Sequence, residues 1–367
     1  MKKYLLLFSI FVTCMSSLAQ NLTDGYYRVY NKGENRYIYV IDNTGTATPS
    51  KQDLGAVVLI QNIEKTISNP ASVLYVKKRA GNEYDIMSQG TSVSQIIGKC
   101  PEIVWTSRLN AYRVGANVSG AQLWLGSDND PKKASGALTV KDLGGSDKIG
   151  WIVEPIKSGG SNYFGLAPSI QIGDKYYQSF YADFAFSFYS DGMKAYIVDA
   201  SEAGEARLVP VEQEVIPAAT PLIIECSSKE ASDNRLELKY EQVLPLKNNI
   251  LKGNYFYNKV RKHAQIPYDK NTMRVLDKTS DGKLGFVTTN DEYLAANSAY
   301  LVVAAGSEET VLAVDEKSYS SIELPDSDII EVGGVYSILG VKLRQDANIE
   351  DLPSGVYIVN GKKVIKR

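Results

Sequence analysis

The chain has 367 residues, 44% of them hydrophobic and 22% charged, with a formal charge of −2. Near-neutrality excludes the basic footprint of a nucleic-acid binder. A single histidine excludes zinc centres built on two or three imidazoles.

Residues 1–19 have the three parts of a signal peptide. Lys2 and Lys3 form the positive start. Tyr4 to Val12 is apolar but too short to span a bilayer. Ser17-Leu18-Ala19 places small residues at the cleavage positions, so the mature chain is expected to start at Gln20 and to carry a charge of −4. The rival is a lipoprotein signal at Cys14, where Thr13 stands in place of Gly, Ala or Ser. No later segment has the long uncharged run of a membrane helix.

Residues 20–157 alternate in the manner of strands. Tyr27–Tyr30 and Arg36–Val40 flank the polar turn Asn31–Asn35. Val73–Lys77 and Glu83–Met87 flank Arg79–Asn82, and Ala111–Val114 and Gln122–Leu125 flank Asn117–Gly120. Tyr27, Tyr75, Tyr112 and Trp151 head strands roughly 40 residues apart, an internal period. Leu54, Val57, Val58, Ile63 and Ile67 have helical spacing, which predicts a helix between the first two units. Asp128-Asn-Asp130 is read as a polar turn, since it lacks the glycine and closing Glu of a calcium loop. The repeated aromatic hairpins resemble the pattern of β-trefoil domains of the ricin-lectin type. Gln122-Leu123-Trp124 is the sole match to the Gln-x-Trp of that family. The resemblance implies a β-trefoil-like domain that stacks sugars on aromatic rings, with Trp105, Tyr112 and Trp124 as candidate ligand contacts.

Lys157–Asn162 is a linker by its Gly and Ser content. Residues 161–315 are read as a β-sandwich-like domain with an internal duplication. Ile216–Ile224 aligns without gaps on Leu294–Val302. The echo reads as one structural corner used twice, a short bend feeding an apolar strand. The dense aromatic tract Tyr176–Tyr189 reads as two core strands broken near Asp183. Of the cysteines that survive signal removal, Cys100 and Cys226 fall in different domains and are read as buried free thiols.

Residues 316–331 are polar and read as a tether. Residues 332–367 carry Val335-Tyr336 with Gly340, Leu352-Pro353 with Gly355, then Val356–Val364 and a basic end. Asn360-Gly361 has the composition of a two-residue hairpin turn. This tail resembles the C-terminal sorting domain of proteins exported by the type IX secretion pathway. The resemblance implies recognition by export machinery and delivery to the cell surface.

The expected class is therefore all-β. No phosphate-cradling glycine loop, nucleophile elbow or metal-ligand cluster stands in the sequence, and His263 lies in a basic stretch that reads as a solvated loop. No cofactor is called for. The reading is an exported, surface-associated, non-enzymatic binding protein with a glycan or another surface macromolecule as partner. A structural or matrix role is the alternative. A carboxylate glycosidase comes third, with Glu83, Asp183 and Asp199 as the acids that adjoin aromatic strands.

Overall fold

A computed structural model describes most of residues 22–305 and shorter stretches at 312–313, 335–337 and between 342 and 366. Residues 1–21, 41–57, 93–101, 128–137, 141–146, 257–265 and 314–334 are the longer parts outside it. The expected signal sequence, Cys100, the expected turn at Asp128–Asp130, His263 and the expected tether at 316–331 therefore lie outside the described residues. The chain divides into two compact units, Met1–Val314 and Asp315–Arg367.

The described residues are all-β, with single 3-10 turns at Pro70–Ser72 and Asp147–Ile149. The first sheet contains β1 (Gly25–Asn31), β2 (Arg36–Val40), β3 (Val58–Asn62), β4 (Leu74–Lys78), β5 (Tyr84–Ser88), β6 (Thr91–Ser92), β7 (Glu102–Thr106), β8 (Ala111–Val118), β9 (Ala121–Ser127), β10 (Leu138–Val140) and β11 (Trp151–Pro155). Its backbone runs β5-β4-β1-β11-β8-β7. The amide of Ile103 donates to the Asn82 carbonyl at 3.0 Å, which ties β7 to the turn before β5 and brings the two ends of this series together. The hairpins β2/β3 and β9/β10 stand off the series.

Alternation decides the core. Tyr27 and Val29 of β1, Leu74 and Val76 of β4, Tyr84 and Ile86 of β5, Tyr112 and Val114 of β8 and Trp151 and Val153 of β11 are buried together. These positions repeat with the strand period of two. The segment expected to be helical contains β3, which pairs antiparallel with β2 from Arg36↔Asn62 to Val40↔Val58. Val58-Leu-Ile60 is a continuous apolar run, and such a run satisfies helical spacing and a buried strand equally well.

The remainder of the first unit contains β12 (Phe164–Gly165), β13 (Ile170–Ile172), β14 (Lys175–Phe180), β15 (Ala185–Phe188), β16 (Lys194–Glu202), β17 (Glu205–Pro210), β18 (Leu222–Cys226), β19 (Arg235–Lys239), β20 (Lys252–Asn254), β21 (Met273–Lys278), β22 (Leu284–Val287), β23 (Ser298–Val302) and β24 (Leu312–Ala313). Ten of them form one sheet in the order β13-β14-β18-β16-β17-β24-β22-β21-β23-β20. It folds back on itself, so that β14 meets β23 and β13 meets β21. A three-stranded sheet, β12-β19-β15, lies against one side. Phe164, Phe186 and Leu236 from it pack with Phe180, Leu222, Ile224 and Cys226 in a second core. The aromatic tract is packing, as its composition implies: Phe180, Phe184 and Phe186 are all nearly inaccessible. Cys226 is a buried free thiol, raised to about 12 by burial and then by the neighbouring Glu225 carboxylate.

The two copies of the sequence echo share one corner. Ala219 and Asn297 align, and both adopt positive φ, at 55° and 53°. The next residue in each copy returns a hydroxyl to a backbone carbonyl: Thr220 donates to Pro217 at 2.8 Å, and Ser298 donates to Ala295 at 2.6 Å. Each corner opens on an isolated bridge, Phe186↔Ile216 in one and Pro267↔Tyr293 in the other.

The Gly-Ser stretch after β11 is tied down rather than loose. Arg28, wholly buried, donates to Asn162 Oδ1 at 2.7 Å and to the Tyr163 carbonyl at 2.6 Å. From the other side Arg235 donates to the Ser158 carbonyl at 2.9 Å and lies 4.0 Å over the Tyr163 ring.

The second unit holds β25 (Val335–Ser337), β26 (Lys342–Arg344), β27 (Gly355–Val359) and β28 (Lys362–Lys366), antiparallel in the order β26-β25-β27-β28. The register Val359↔Lys362 leaves a two-residue connection at Asn360-Gly361, the length such a pair favours. Among the described residues no helix is long and apolar enough to cross a membrane.

Candidate functional site

A groove of about 480 Å³ opens where the folded-back sheet meets the connection between β3 and β4. Its size falls within the range of small-ligand sites. Ser68, Asn69 and Pro70 form one lip, and Ser169, Ile170 and Gln178–Phe180 form another. Val275, Leu276 and Asp277 of β21 line the floor, and Thr289, Asp291 and Tyr293–Ala299 complete the wall. The polar lining is hydroxyls from Ser, Thr and Tyr, the side-chain amide of Gln178 and the carboxylates of Asp277 and Asp291, with Asn69 and Asn297 holding the rim through their own hydrogen bonds.

The Ser68–Pro70 lip is fixed by its own hydrogen bonds. Asn69 caps the short 3-10 turn, accepting the Ala71 amide at 2.9 Å. Its carbonyl receives the Ser72 hydroxyl at 2.8 Å, and Ser72 in turn accepts from Arg28 Nε at 3.2 Å. Arg28 Nη2 also reaches the Ile67 carbonyl at 3.2 Å. Burial lowers the Arg28 guanidinium to about 10, which leaves it charged at neutral pH.

The opposite wall hangs on a reciprocal amide pair. Gln89 Nε2 donates to Asn297 Oδ1 at 3.0 Å, and Asn297 Nδ2 donates back to Gln89 Oε1 at 2.9 Å. Asn297 also donates to the Tyr181 carbonyl and accepts the Tyr181 amide, both at 3.0 Å. Asn254 donates to the carbonyls of Leu294 and Ala295, holding the corner. Gly253 lies directly against the Tyr181 ring, where a Cβ would stand 2.3 Å from Cδ2; a side chain there would displace the ring. Buried amides with all partners present give a rigid wall.

Next to this pair stands Asp183, which accepts the Gly90 amide at 3.0 Å. Burial pushes its carboxyl up to about 6, against the opposing pull of the backbone N–H groups of Gly90, Asp183 itself and Gln89. Tyr255 and Tyr26, both with Asp183 as neighbour, are raised chiefly by burial.

Trp105 and Tyr112 face each other across β7 and β8, ring centres 5.0 Å apart and edge-on. Tyr112 is 6% exposed and belongs to the first core; Trp105 is half-buried against it. The backbone of Trp124 pairs with Gly115, and its side chain lies outside the described residues. Glu83 lies in an exposed turn. Asp199 is held by a two-pronged ion pair with Arg207, at 2.7 and 2.6 Å. Of the three acids proposed for a glycosidase, Asp183 and Asp199 thus have separate local partners and Glu83 is exposed.

Sequence reasoning missed the groove and also Glu225. This carboxylate, 8% exposed, accepts from the hydroxyls of Tyr177 at 3.2 Å and Tyr196 at 3.3 Å, with Lys175 at 3.5 Å. Its signal was a single charge inside the apolar strand Leu222–Cys226. Among the described residues no group of three or more His, Cys, Asp or Glu could hold a metal.

No family model matches the chain, and no curated protein matches it. Among solved structures the chain is similar to a mosquitocidal holotoxin at 12% identity and a TM-score of 0.23, over 80% of this chain and 33% of that one. It thus spans about a third of the length of that toxin.

Proposed function

We propose that this chain is an exported, surface-associated binding protein, without enzymatic activity, that takes a glycan in the groove between its ten-stranded sheet and the connection from β3 to β4. The observation that carries the reading is the lining of that groove. Hydroxyls and amides in a cleft of this volume suit a ligand that is itself a set of hydroxyls, and Tyr293 adds an amphipathic ring. The aromatic rings of the first sheet contribute less, because Tyr27, Tyr84, Tyr112 and Trp151 are core residues.

The series β5-β4-β1-β11-β8-β7 with its outlying hairpins supports a β-trefoil-like reading of the first sheet. The folded-back sheet and the repeated corner support a duplicated sandwich-like reading of the rest. Export rests on the signal pattern of residues 1–19 and on the sorting-like pattern of residues 332–367.

A glycan array probed with the purified chain tests the function. Wild type should retain a defined set of oligosaccharides, and Ser169→Trp, which places a large ring at an exposed groove position, should lose them while melting normally. Retention of nothing by wild type, or equal retention by Ser169→Trp, would remove the groove as a glycan site.

A further inference from the structure

The charge balance of the groove narrows the class of glycan, given that the groove is the glycan site. Asp277 and Asp291 are the charged side chains among its described lining residues, and none of that lining is basic. Each carboxylate has a neutral partner: Asp277 accepts the amide of Lys278 at 2.7 Å, and Asp291 accepts the Thr289 hydroxyl at 2.9 Å. Neither belongs to an ion pair among the described residues. Both side chains are exposed at the groove, so their negative potential is carried into the cleft. A cleft lined by one sign of charge concentrates ligands of the other sign.

We infer that the groove selects amino sugars: oligosaccharides with free, protonated amines bind there in preference to their N-acetylated counterparts, and uronate-bearing chains are rejected. The surrounding hydroxyls and amides bond the sugar hydroxyls, which both oligomers share. The protonated amine supplies the charge that the lining lacks, and a charge-assisted bond from ammonium to carboxylate is stronger than a bond from an amide. A uronate meets two like charges and no counter-charge.

The experiment is a calorimetric titration of the full chain with glucosamine hexaose, N-acetylglucosamine hexaose and a hexauronate, in a chelating buffer at a pH where the free amines are protonated. The expected result is at least tenfold tighter binding of the amine form than of the acetylated form, and no detectable binding of the uronate. The ratio should shrink as salt is raised, because exposed charges are screened over about 8–10 Å. In the isosteric Asp277→Asn/Asp291→Asn variant the ratio should fall towards one. Equal affinities in wild type, or a ratio unchanged in the double variant, overturns the selectivity. In that event, loss of binding in Ser169→Trp would still support the groove as a glycan site. Binding of none of the three, with a glycan array that is also blank, overturns the groove itself.

Discussion

Arg28 and Asn162 meet at 2.7 Å, guanidinium nitrogen to side-chain oxygen, inside a region that composition marks as a tether. The same arginine reaches Ser72 and the Ile67 carbonyl, the supports of the groove lip. One fully buried cation thus joins β1, the 157–163 connection and the rim of the candidate site. Its value lies in geometry: the planar fork satisfies several oxygens at once, which an ammonium does not.

Arg28→Met should therefore cost about 2–4 kcal/mol, because acceptors around the lost guanidinium are left short of donors in the interior. Limited proteolysis reads the local effect. Wild type should resist cleavage at Gly159-Gly160 although both residues are exposed, since Lys157 and Asn162 close that turn through a 2.8 Å backbone bond. The variant should be cut there first. Rapid cleavage of wild type at this site would contradict the pinned connection.

The duplicated corner gives a prediction from one copy to the other. Asn tolerates the left-handed region better than Ala, and Asn occupies the equivalent of Ala219 at position 297. Ala219 is exposed and donates its amide to the Ala182 carbonyl at 2.8 Å, a bond the substitution keeps. Ala219→Asn should stabilise by about 0.5–1 kcal/mol. Thermal melts would register this as a rise of a degree or two; a fall would mean the corner is not strained.

That corner was legible in the sequence because both copies keep the order of bend, hydroxyl and apolar strand. The all-β class was legible because Tyr27, Val29, Leu74, Val76 and their neighbours alternate without interruption. The strand at Val58–Asn62 was not, since its continuous apolar run carries no period of its own. The groove was hidden for a different reason. Ser68, Gln178, Asp277 and Tyr293 lie on four segments far apart in the chain, each unremarkable locally, and only the folding-back of the sheet brings them to one cleft. Arg28 was hidden by its type: an arginine on the outer face of a strand reads as solvated until something covers that face.

Asp183 sets a pH dependence whose sign follows from burial. Its carboxyl is raised from 3.8 to about 6 in the folded protein, so the folded state binds the proton more tightly than the unfolded chain. Stability therefore rises as pH falls from above 6 towards 4, and this contribution levels off below that. The effect is at most about 3 kcal/mol. Urea unfolding midpoints at several pH values measure the slope, and Asp183→Asn should flatten the part between pH 6 and 4. An unchanged slope in the variant would place the titration elsewhere.

Trp105→Ala separates packing from contact in the first sheet. The indole lies edge-on to the buried Tyr112, and its Nε1 is inaccessible and makes no hydrogen bond. Removal should cost about 2–3 kcal/mol, less than a fully buried Trp would, and leave glycan retention per folded molecule intact. Loss of retention without loss of stability would return Trp105 to the role of a ligand contact.

Lys366, next to the end of the chain, donates its ammonium to the carbonyls of Ile349 at 2.8 Å, Leu352 at 2.6 Å and Glu350. β28 is an edge strand, and an edge held only by one ladder frays readily. Three carbonyls converging on one cation close that edge against the 349–352 turn, which Arg344 and Asp351 hold from within at 3.1 Å. Lys366→Met keeps most of the apolar stem and removes the charge. Hydrogen exchange should then show faster opening of Lys362–Lys366 by about tenfold, as expected for the loss of one or two charged hydrogen bonds, with amides of the first unit unchanged. If a folded tail is what the export machinery reads, surface delivery in a strain with type IX machinery should fall in parallel. Full protection of β28 in the variant would show that the ladder alone secures the edge.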